Sequence, residues 1–384
     1  MSMSNVTTRN GDEIVAPRGL AGVVVADTAI GAVRGEEGFY HYRQYAAPDL
    51  AREQSLEAVW HLLHVGHLPG DDELATFRAM TAAQRSIPNA VAEALPAIVA
   101  AAPDGAPMAS GRTALSLLAT HDGLRPWLET APDELAVQAR RLVAAFPTLV
   151  GALWRLRSGE TPLEPDPSLG LAADHVRMIT GTAPTPEDTR AIERYLMLTV
   201  DHGLNASTFT ARTVASTGAD LGAVTVAALG SLSGPLHGAA PSRVLQMLLE
   251  IGDPSRADAW VQAALARNDV IMGFGHRVYR TEDPRSALLK ETALEMGGPL
   301  VDLAVEVEDV IQDALERHRP GRDLRTNVEY YASVVLHLVG LPADLFTPTF
   351  AVSRMIGWTA HAIEQTKGNR IIRPSSRYVG PTPG

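Results

Sequence analysis

Hydrophobic positions along most of the chain recur at the three- and four-residue spacing of amphipathic helices. After Thr185 and Pro186, a cap and first-turn pair, apolar residues follow at Ile192, Tyr195 and Leu196. This pattern predicts a helix that begins at the threonine. The same spacing predicts further helices at 55–66, with Ser55 as cap and Gly66 near the end, and at 133–155, 220–232, 242–250, 257–267, 286–295, 300–317, 331–339 and 350–367.

The segment Gly19–Tyr45 is the one region that favours β-structure. Three valines at 23–25 are followed by glycines at 31, 35 and 38, which predicts one or two small hairpins with glycine turns. Strand-like alternation is nearly absent after Tyr45. We therefore predict an all-α fold with small N-terminal β hairpins, loops at 103–107 and 162–170, and a flexible tail over residues 1–18.

Composition narrows the class of protein. The chain has 384 residues, 46% of them hydrophobic, which is enough to bury a sizeable core in two domains or one large one. It has no cysteine, which excludes disulfides, thiolate zinc sites and a cysteine nucleophile and suits a reducing compartment. A net charge of −11 disfavours nucleic acid and anionic membranes as partners. Without a secretory signal or a long apolar run, we expect a soluble cytoplasmic protein.

Twelve histidines are present, and most of them stand alone. His61, His64 and His67 follow one another at three-residue spacing, but the third would be rotated away on a helix and no nearby carboxylate completes a metal site. The sequence therefore predicts a partly exposed helix end there, and no bound metal.

Three other histidines lie where predicted helices end. His202 precedes a run of small polar residues, His237 lies in a Gly-Pro-Leu-His-Gly break, and His276 follows Gly-Phe-Gly. Helix N-termini and glycine loops present free N–H groups to anions. A histidine kept neutral there can donate a hydrogen bond to a carbonyl oxygen that is becoming an enolate.

Arginines gather in the same places. Arg277, Arg280 and Arg285 follow His276 within nine residues, whereas Arg354 and Arg373 lie near the C-terminus. Arginine binds carboxylates and phosphates through two parallel hydrogen bonds. The Gly-x-Gly before His276 lacks a third glycine and a preceding strand, so it is weak evidence for a dinucleotide site.

These motifs resemble those of the citrate synthase family. Gly273-Phe274-Gly275-His276 followed by Val278, Arg280 and Asp283-Pro284-Arg285 is similar to the family signature. The resemblance runs in order from about residue 19 to the end, and its other motifs are Gly19–Val23, Glu57–Pro69, Asp201-His202 with Asn205–Thr208, Gly234–Gly238, Phe346–Arg354 and Arg370–Gly380. Citrate synthases and 2-methylcitrate synthases share these motifs.

The resemblance implies a mostly helical homodimer of two-domain subunits. A large domain would comprise residues 19–237 and 332–384, and a small domain residues 238–331, with the active site in the cleft. Family members close this cleft on oxaloacetate and so complete the site for acyl-CoA. The reaction is the condensation of acetyl-CoA with oxaloacetate, followed by thioester hydrolysis to citrate and CoA in the tricarboxylic acid cycle.

The resemblance also assigns roles to single residues. His237 would stabilise the enolate of acetyl-CoA, His276 would polarise the oxaloacetate carbonyl, and Glu329 would be the base. The predicted carboxylate-binding residues are His202, Arg285, Arg354 and Arg373, the last reaching the site of the partner subunit. The predicted CoA contacts are Arg280, Leu236, Gly273 and Gly275. Neither a metal nor another cofactor is implied; acetyl-CoA is a cosubstrate.

Two positions depart from the family pattern. The base is an aspartate in most members, whereas Asn327-Val328-Glu329 carries glutamate, as we expect of a subgroup of actinobacterial citrate synthases. Ala106-Pro107-Met108 stands where many members have His-Pro-Met. Three functions stay open: a citrate synthase, a 2-methylcitrate synthase or dual-specificity enzyme that accepts propionyl-CoA, and a catalytically weakened protein that binds dicarboxylates or CoA.

Overall fold

The computed structural model describes residues 8–9, 13–102, 106–238, 240–276, 278–279 and 281–382. Within these residues the chain is mostly helical, with a few short strands near the N-terminus. The helices are α1 (Ala47–Glu53), α2 (Leu56–Val65), α3 (Asp71–Ala82), α4 (Asn89–Ala100), α5 (Pro107–His121), α6 (Pro132–Arg157), α7 (Leu171–Thr180), α8 (Pro186–Thr199), α9 (Ala206–Ser216), α10 (Leu221–Leu232), α11 (Ala240–Ile251), α12 (Ala257–Ala266), α13 (Pro284–Met296), α14 (Pro299–His318), α15 (Val328–Leu338) and α16 (Phe346–Thr366).

The start and stop signals in the sequence correspond to real helix ends. The Ser55 side chain accepts a hydrogen bond from the Ala58 amide at the start of α2, and Gly66 ends that helix with a φ of 106°. Thr185 caps α8 in the same way by accepting from the Asp188 amide. A capping side chain satisfies an amide that has no partner inside the helix, which explains why these short motifs are reliable.

Six helices were absent from the sequence-based prediction: α1, α3, α4, α5, α7 and α9. Most of them are short, interrupted by proline or rich in alanine, which weakens the local signal for a helix; α7 is amphipathic but only ten residues long. Pro96, for example, lies inside α4. Packing against neighbouring helices stabilises them, since tertiary contacts override weak local preference.

The strands lie at the N-terminus, as predicted, but not all where predicted. Strands β3 (Gly31–Arg34), β4 (Phe39–Tyr42) and β5 (Tyr45–Ala46) form one antiparallel sheet in that order. Residues 23–25 form no strand, and Val24 is exposed. The predicted tail contains a short antiparallel pair, β1 (Thr8–Arg9) with β2 (Glu13–Ile14).

Helix α16 is buried along most of its length and organises the core around it. It packs against α6, α8, α9 and α10, and its Trp358 is fully buried. Gly357 allows the close approach, because a Cβ at this position would lie 2.1 Å from the carbonyl oxygen of Val200. This contact places the chain that follows α8 beside α16, and residues of both line the candidate active site.

Among the described residues, no helix is long and apolar enough to cross a membrane.

Candidate active site

One cleft of about 700 Å³ lies where β3, the loop after α8, the turn before α11, the loop before α13 and the start of α15 converge on α16. Its lining brings together most of the side chains that the sequence singled out. The titratable side chains that line the cleft are His202, His237, His276, Arg285, Glu329 and Arg354.

The imidazole of His237 is held by the first turn of α9. The Ser207 amide donates a hydrogen bond to His237 Nε2 over 3.2 Å, and the Ser207 hydroxyl lies 2.8 Å from the same nitrogen. Because Nε2 accepts from an amide, we assign the single proton of the neutral ring to Nδ1. Burial, together with the nearby positive charge of Arg354, lowers the pKa of His237 to about 4. His237 is therefore a neutral hydrogen-bond donor at physiological pH.

The imidazole of His276 has the opposite proton assignment. Its Nδ1 accepts from the backbone amides of Val278 and Tyr279, both at 3.0 Å, so Nε2 carries the proton. Burial and the Arg285 charge lower the pKa of His276 to about 4. Arg285 Nη2 lies 3.2 Å from His276 Nε2. Two donors thus meet at one point of the cleft, and a carbonyl or carboxylate oxygen can accept from both.

The loop that carries His276 is fastened to the segment before α15. The Gly275 amide donates to the Arg325 carbonyl over 2.8 Å, and the Asn327 amide donates to the Gly273 carbonyl over 2.9 Å. The Asn327 side chain also donates to the Gly275 carbonyl over 3.0 Å. Gly273 and Gly275 have φ values of 85° and 79°, a region that favours glycine. Three hydrogen bonds therefore hold the two loops together.

A buried ion pair orients Arg285. Asp283 accepts from Arg285 Nε over 2.9 Å and from Nη2 over 2.7 Å, and it also accepts from the Val328 amide over 3.1 Å. Burial opposes the ionised carboxylate, but the adjacent guanidinium outweighs it and holds the pKa of Asp283 below its usual value. One carboxylate thus fixes a cleft arginine and the first turn of α15 together.

Arg354 enters the cleft from the middle of α16. Its Nε donates to the Thr199 carbonyl over 2.7 Å, and its guanidinium lies 4.6 Å from the centre of the Phe350 ring. It is only 3% exposed, and among the described residues its Nη1 has no hydrogen-bond partner. Burial lowers the pKa of Arg354 to about 10, so the side chain stays charged at neutral pH. A buried cation with a free donor is a site for an anion.

His202 lines the cleft close enough to both arginines to feel their charges. Its Nε2 is 2.9 Å from the Tyr279 hydroxyl, and its ring meets the His276 ring edge-on at 5.7 Å between centroids. Burial, with the charges of Arg285 and Arg354 acting in the same direction, lowers the pKa of His202 well below its usual value. His202 is therefore neutral, and the positive charge of the cleft comes from the two arginines.

Glu329 is the carboxylate that lines the cleft. It lies in the first turn of α15, where the Asn327 side chain caps the helix by accepting from the Glu329 amide over 3.0 Å. Burial raises the pKa of Glu329 to about 7, against the opposing effect of Arg285. A carboxylate with a pKa near neutrality is suited to act as a general base.

Leu236 lines the cleft with the other predicted residues, whereas three predicted residues lie elsewhere or escape description. Arg373 is exposed on the C-terminal segment and does not border the cleft of its own chain. Leu236 is at the cleft mouth and 93% exposed, and Gly273 is buried behind the loop. Arg280 falls outside the described residues.

Four contributors to the site had no role in the sequence-based prediction: Ser207, Tyr279, Asp283 and Phe350. Asp283 stands two residues before Arg285 in the signature motif, a spacing that could have suggested the ion pair. Ser207 lies within the predicted Asn205–Thr208 motif. Tyr279 and Phe350 act through tertiary contacts that no local pattern reveals.

One prediction about histidines was wrong. The sequence suggested no carboxylate near His61 and His67, but Glu73 of α3 contacts both. The chain leaves α2 at Gly66 and turns back, so His67 faces His61 rather than pointing away from it. This cluster is separate from the cleft.

Comparison with known proteins points to one family. A family model described as citrate synthase, C-terminal domain, matches residues 19–375. The citrate synthase of Haloferax volcanii is 38% identical over 370 residues, covering 94% of this chain and 95% of that protein. The 2-methylcitrate synthase of Mycobacterium tuberculosis is 39% identical over 364 residues, covering 94% and 90%.

Solved structures agree with the sequence comparison. The citrate synthase of Pyrobaculum aerophilum is similar with a TM-score of 0.87 and 32% identity, over 99% of this chain and 97% of that one. The citrate synthase of Thermoplasma acidophilum, solved with carboxymethyl coenzyme A and oxaloacetate, has a TM-score of 0.88 and 28% identity, over 96% and 97%.

Proposed function

The chain belongs to the citrate synthase family, and on that premise we propose that it condenses acetyl-CoA with oxaloacetate and hydrolyses the product thioester to citrate and CoA. This is an acyl transfer in which the acyl group becomes an alkyl group. The observation that supports it most directly is the pairing in one cleft of two neutral imidazoles of opposite tautomer with a raised-pKa carboxylate and two buried arginines.

The arginines provide the site for the dicarboxylate. Arg285 and Arg354 are fixed by Asp283 and by the Thr199 carbonyl, so their remaining donors are preorganised for carboxylates. His202 adds a neutral hydrogen-bonding group to the same cleft as the two arginines. We propose that Arg373 of the partner subunit completes this site in a homodimer. Within its own subunit Arg373 lies on the exposed C-terminal segment and does not line the cleft.

The first chemical step is removal of a proton from the acetyl-CoA methyl group. Glu329 takes this proton, and His237 Nδ1–H donates a hydrogen bond to the thioester oxygen, on which negative charge develops. A donor aimed at such an oxygen typically contributes a factor of about 10²–10³ in rate. A general base and a hydrogen-bond donor at the thioester oxygen allow enolisation without a Lewis acid.

Carbon–carbon bond formation follows. The enolate carbon attacks the oxaloacetate carbonyl, and the electron pair of that carbonyl moves onto its oxygen. His276 Nε2 and Arg285 Nη2 converge where this oxygen would lie, so His276 can deliver its proton to the alkoxide. Water then cleaves the thioester, which releases CoA and citrate.

The CoA site and the domain division extend this proposal. Leu236 and Gly275 line the cleft, and Gly273 lies in the same loop as Gly275. In the sequence, Arg280 comes five residues after Gly275. We propose that residues 238–331 form the small domain, that 19–237 and 332–384 form the large domain, and that closure between them completes the CoA site.

Assay of the purified protein tests the proposal. Release of free CoA from acetyl-CoA is expected only when oxaloacetate is present, with citrate formed in equal amount. His276→Ala is expected to abolish most of this release. Thioester hydrolysis that proceeds equally well without oxaloacetate would contradict the proposal, and absence of release would favour a binding protein.

A second substrate is favoured by the similarity to 2-methylcitrate synthases. Relatives of both kinds are about equally similar, 40% for the citrate synthase of Mycolicibacterium smegmatis and 39% for the 2-methylcitrate synthase of Mycobacterium tuberculosis. One methylene in a pocket changes binding by only about 1–3 kcal/mol, so the preference can be soft. The ratio of kcat/KM for acetyl-CoA and propionyl-CoA decides between the two.

A further inference from the structure

Three potential metal ligands meet at the junction of α2 and α3, outside the cleft. They are His61 in α2, His67 in the turn after it and Glu73 in the first turn of α3. Among the described residues, one ligand atom from each lies within 4.8 Å of the other two. None of the three borders the cleft.

Two of the three spacings between ligand atoms are close to those of a tetrahedral site. His61 Nε2 lies 3.3 Å and His67 Nε2 lies 3.1 Å from the same carboxylate oxygen, Glu73 Oε1, and the two imidazoles offer ligand atoms within 4.8 Å of each other. Ligands bound to Zn²⁺ at about 2.0–2.2 Å in a tetrahedron are separated by roughly 3.3–3.6 Å. The side chains need only small movements to bind such an ion.

Hydrogen bonding prepares His61 as a ligand. Its Nδ1 lies 3.0 Å from the carbonyl oxygen of His67, which can only accept, so Nδ1 carries the proton of the neutral ring. The lone pair of Nε2 then faces Glu73. Metal-bound histidines commonly donate their other N–H to a backbone carbonyl in this way.

The burial of His61 beside the Glu73 carboxylate favours a cation between the two side chains. His61 is only 3% exposed, and its unprotonated Nε2 faces a carboxylate oxygen at 3.3 Å. Two acceptors at that distance repel unless a cation lies between them, either an added proton on His61 or a metal ion. His67 and Glu73 are partly exposed, so an ion can enter from solvent.

We propose that His61, His67 and Glu73 bind one zinc-class divalent cation, with a fourth position open to water. The ion would fasten α3 to the end of α2. Two imidazoles and a carboxylate suit Zn²⁺, since the chain has no cysteine to offer. The site is independent of the proposed condensation, because it shares no residue with the cleft.

Zinc titration of the untagged, EDTA-treated protein after chelator removal tests the site. Calorimetry should show one Zn²⁺ per chain, and free Zn²⁺ at about a hundred times Kd should raise Tm by about 2–5 °C. His67→Gln and Glu73→Gln should each weaken binding at least about tenfold and remove the rise in Tm. His121→Gln is the matched control, because His121 also contacts one carboxylate, Asp122 at 3.2 Å, and belongs to no three-ligand cluster among the described residues.

Several outcomes would overturn the proposal. One is a wild-type chain that binds no zinc at one equivalent, which would leave a proton as the shared cation. Another is binding that is unchanged in both His67→Gln and Glu73→Gln. Turnover of acetyl-CoA and oxaloacetate should be equal with and without zinc, and a requirement for zinc would contradict a purely structural site.

Discussion

Burial acts in opposite directions on the two kinds of titratable group in the cleft. It lowers the pKa of His237 and His276 to about 4, which leaves both rings as neutral donors. It raises the pKa of Glu329 to about 7, which makes this carboxylate a stronger base. Enolisation of a weak carbon acid needs both effects at once, a base of matched pKa and a donor that does not surrender its proton to solvent.

Replacing Glu329 tests its role as the base. Glu329→Gln keeps the shape of the side chain but removes the proton acceptor, so kcat is expected to fall about 10²–10⁴-fold with little change in oxaloacetate affinity. Glu329→Asp is the matched control, because the carboxylate stays but is withdrawn by one methylene, and partial activity is expected. Exchange of the acetyl-CoA methyl protons with deuterated water measures the step directly. Undiminished exchange in Glu329→Gln would assign the proton to another residue.

The same residue predicts a pH-dependent effect on stability. The folded-state pKa of Glu329 lies near 7, above its ordinary value of 4.5. Ionisation is therefore harder in the folded chain, and stability is lost as the pH rises from about 4.5 to 7. Glu329→Gln removes this cost, so its gain in unfolding free energy should grow across that range to about 1–3 kcal/mol and then level off. Urea unfolding at pH 4.5, 6 and 8 measures it, and a gain independent of pH would contradict burial as the cause.

Activity should follow the same ionisation. Below pH 7 an increasing fraction of Glu329 is protonated and cannot act as a base, so kcat/KM should fall as the pH is lowered through about 7. The two histidines are already neutral there and contribute no change until about pH 4. A pH profile of kcat/KM that is flat between 6 and 8 would exclude this assignment.

At the scale of elements, helix starts and one glycine loop position the chemistry. The first turn of α9 holds His237, and the first turn of α15 carries Glu329 and is fixed by Asp283. The loop 273–275 turns tightly against α15 to present His276. His237 and Glu329 thus depend on helix starts, where free amides are available. His276 depends on the glycine loop, and the amides of Val278 and Tyr279 that follow it hold its ring.

Gly273→Ala tests the precision of that loop. A Cβ there would lie 3.0 Å from both the Tyr330 and Val244 side chains, and φ is 85°. We expect a loss of about 2–4 kcal/mol in unfolding free energy and a large loss of kcat, because His276 is displaced. Gly123→Ala is the control: its φ is 64° with no atom within 4 Å of the added Cβ, so only about 1–2 kcal/mol should be lost. Equal losses in both variants would show that crowding at Gly273 is unimportant.

At the scale of the whole molecule, the proposed domain closure predicts ordered binding. His276, Arg285 and Glu329 lie on the proposed small domain, whereas His202 and Arg354 lie on the large one. A dicarboxylate held by both sets of residues would draw the domains together and complete the acyl-CoA site. Calorimetry should therefore show acetyl-CoA or a non-reacting analogue binding at least about tenfold more tightly with oxaloacetate present. Equal affinities would argue against closure.

A shared active site is the second prediction at this scale. Arg373 does not border the cleft of its own chain, so its proposed role requires the partner subunit. Arg373→Ala and His276→Ala homodimers should each be nearly inactive. In a heterodimer of the two, one site receives both defects and the other receives neither, so about half of the activity per dimer should return. A heterodimer that forms but stays inactive would remove Arg373 from the shared site.

Much of the fold follows from rules that act over a few residues. Apolar spacing and caps such as Thr185 predicted most long helices, because these patterns reflect local backbone geometry. The signature around His276 indicated the family by its resemblance to known motifs. Helices such as α3 and α4 were missed. Each buries only two residues against the rest of the molecule, such as Phe77 of α3 and Leu95 of α4, and that contact is not visible in the local sequence.

The sequence by itself determined the residue types and the helices that carry them: three histidines at helix breaks, arginines beside them and a carboxylate at a helix start. Only the tertiary structure decided which groups meet. Ser207 holds His237 although thirty residues separate them in the chain, and the carbonyl of Thr199 in α8 accepts a hydrogen bond from Arg354 in α16. Glu73 of α3 contacts His61 and His67, which lie in and just after α2. Periodicity extends about four residues along a helix, whereas proximity between elements is set by how whole helices pack, so the proton positions and the second cluster could be read only from the folded chain.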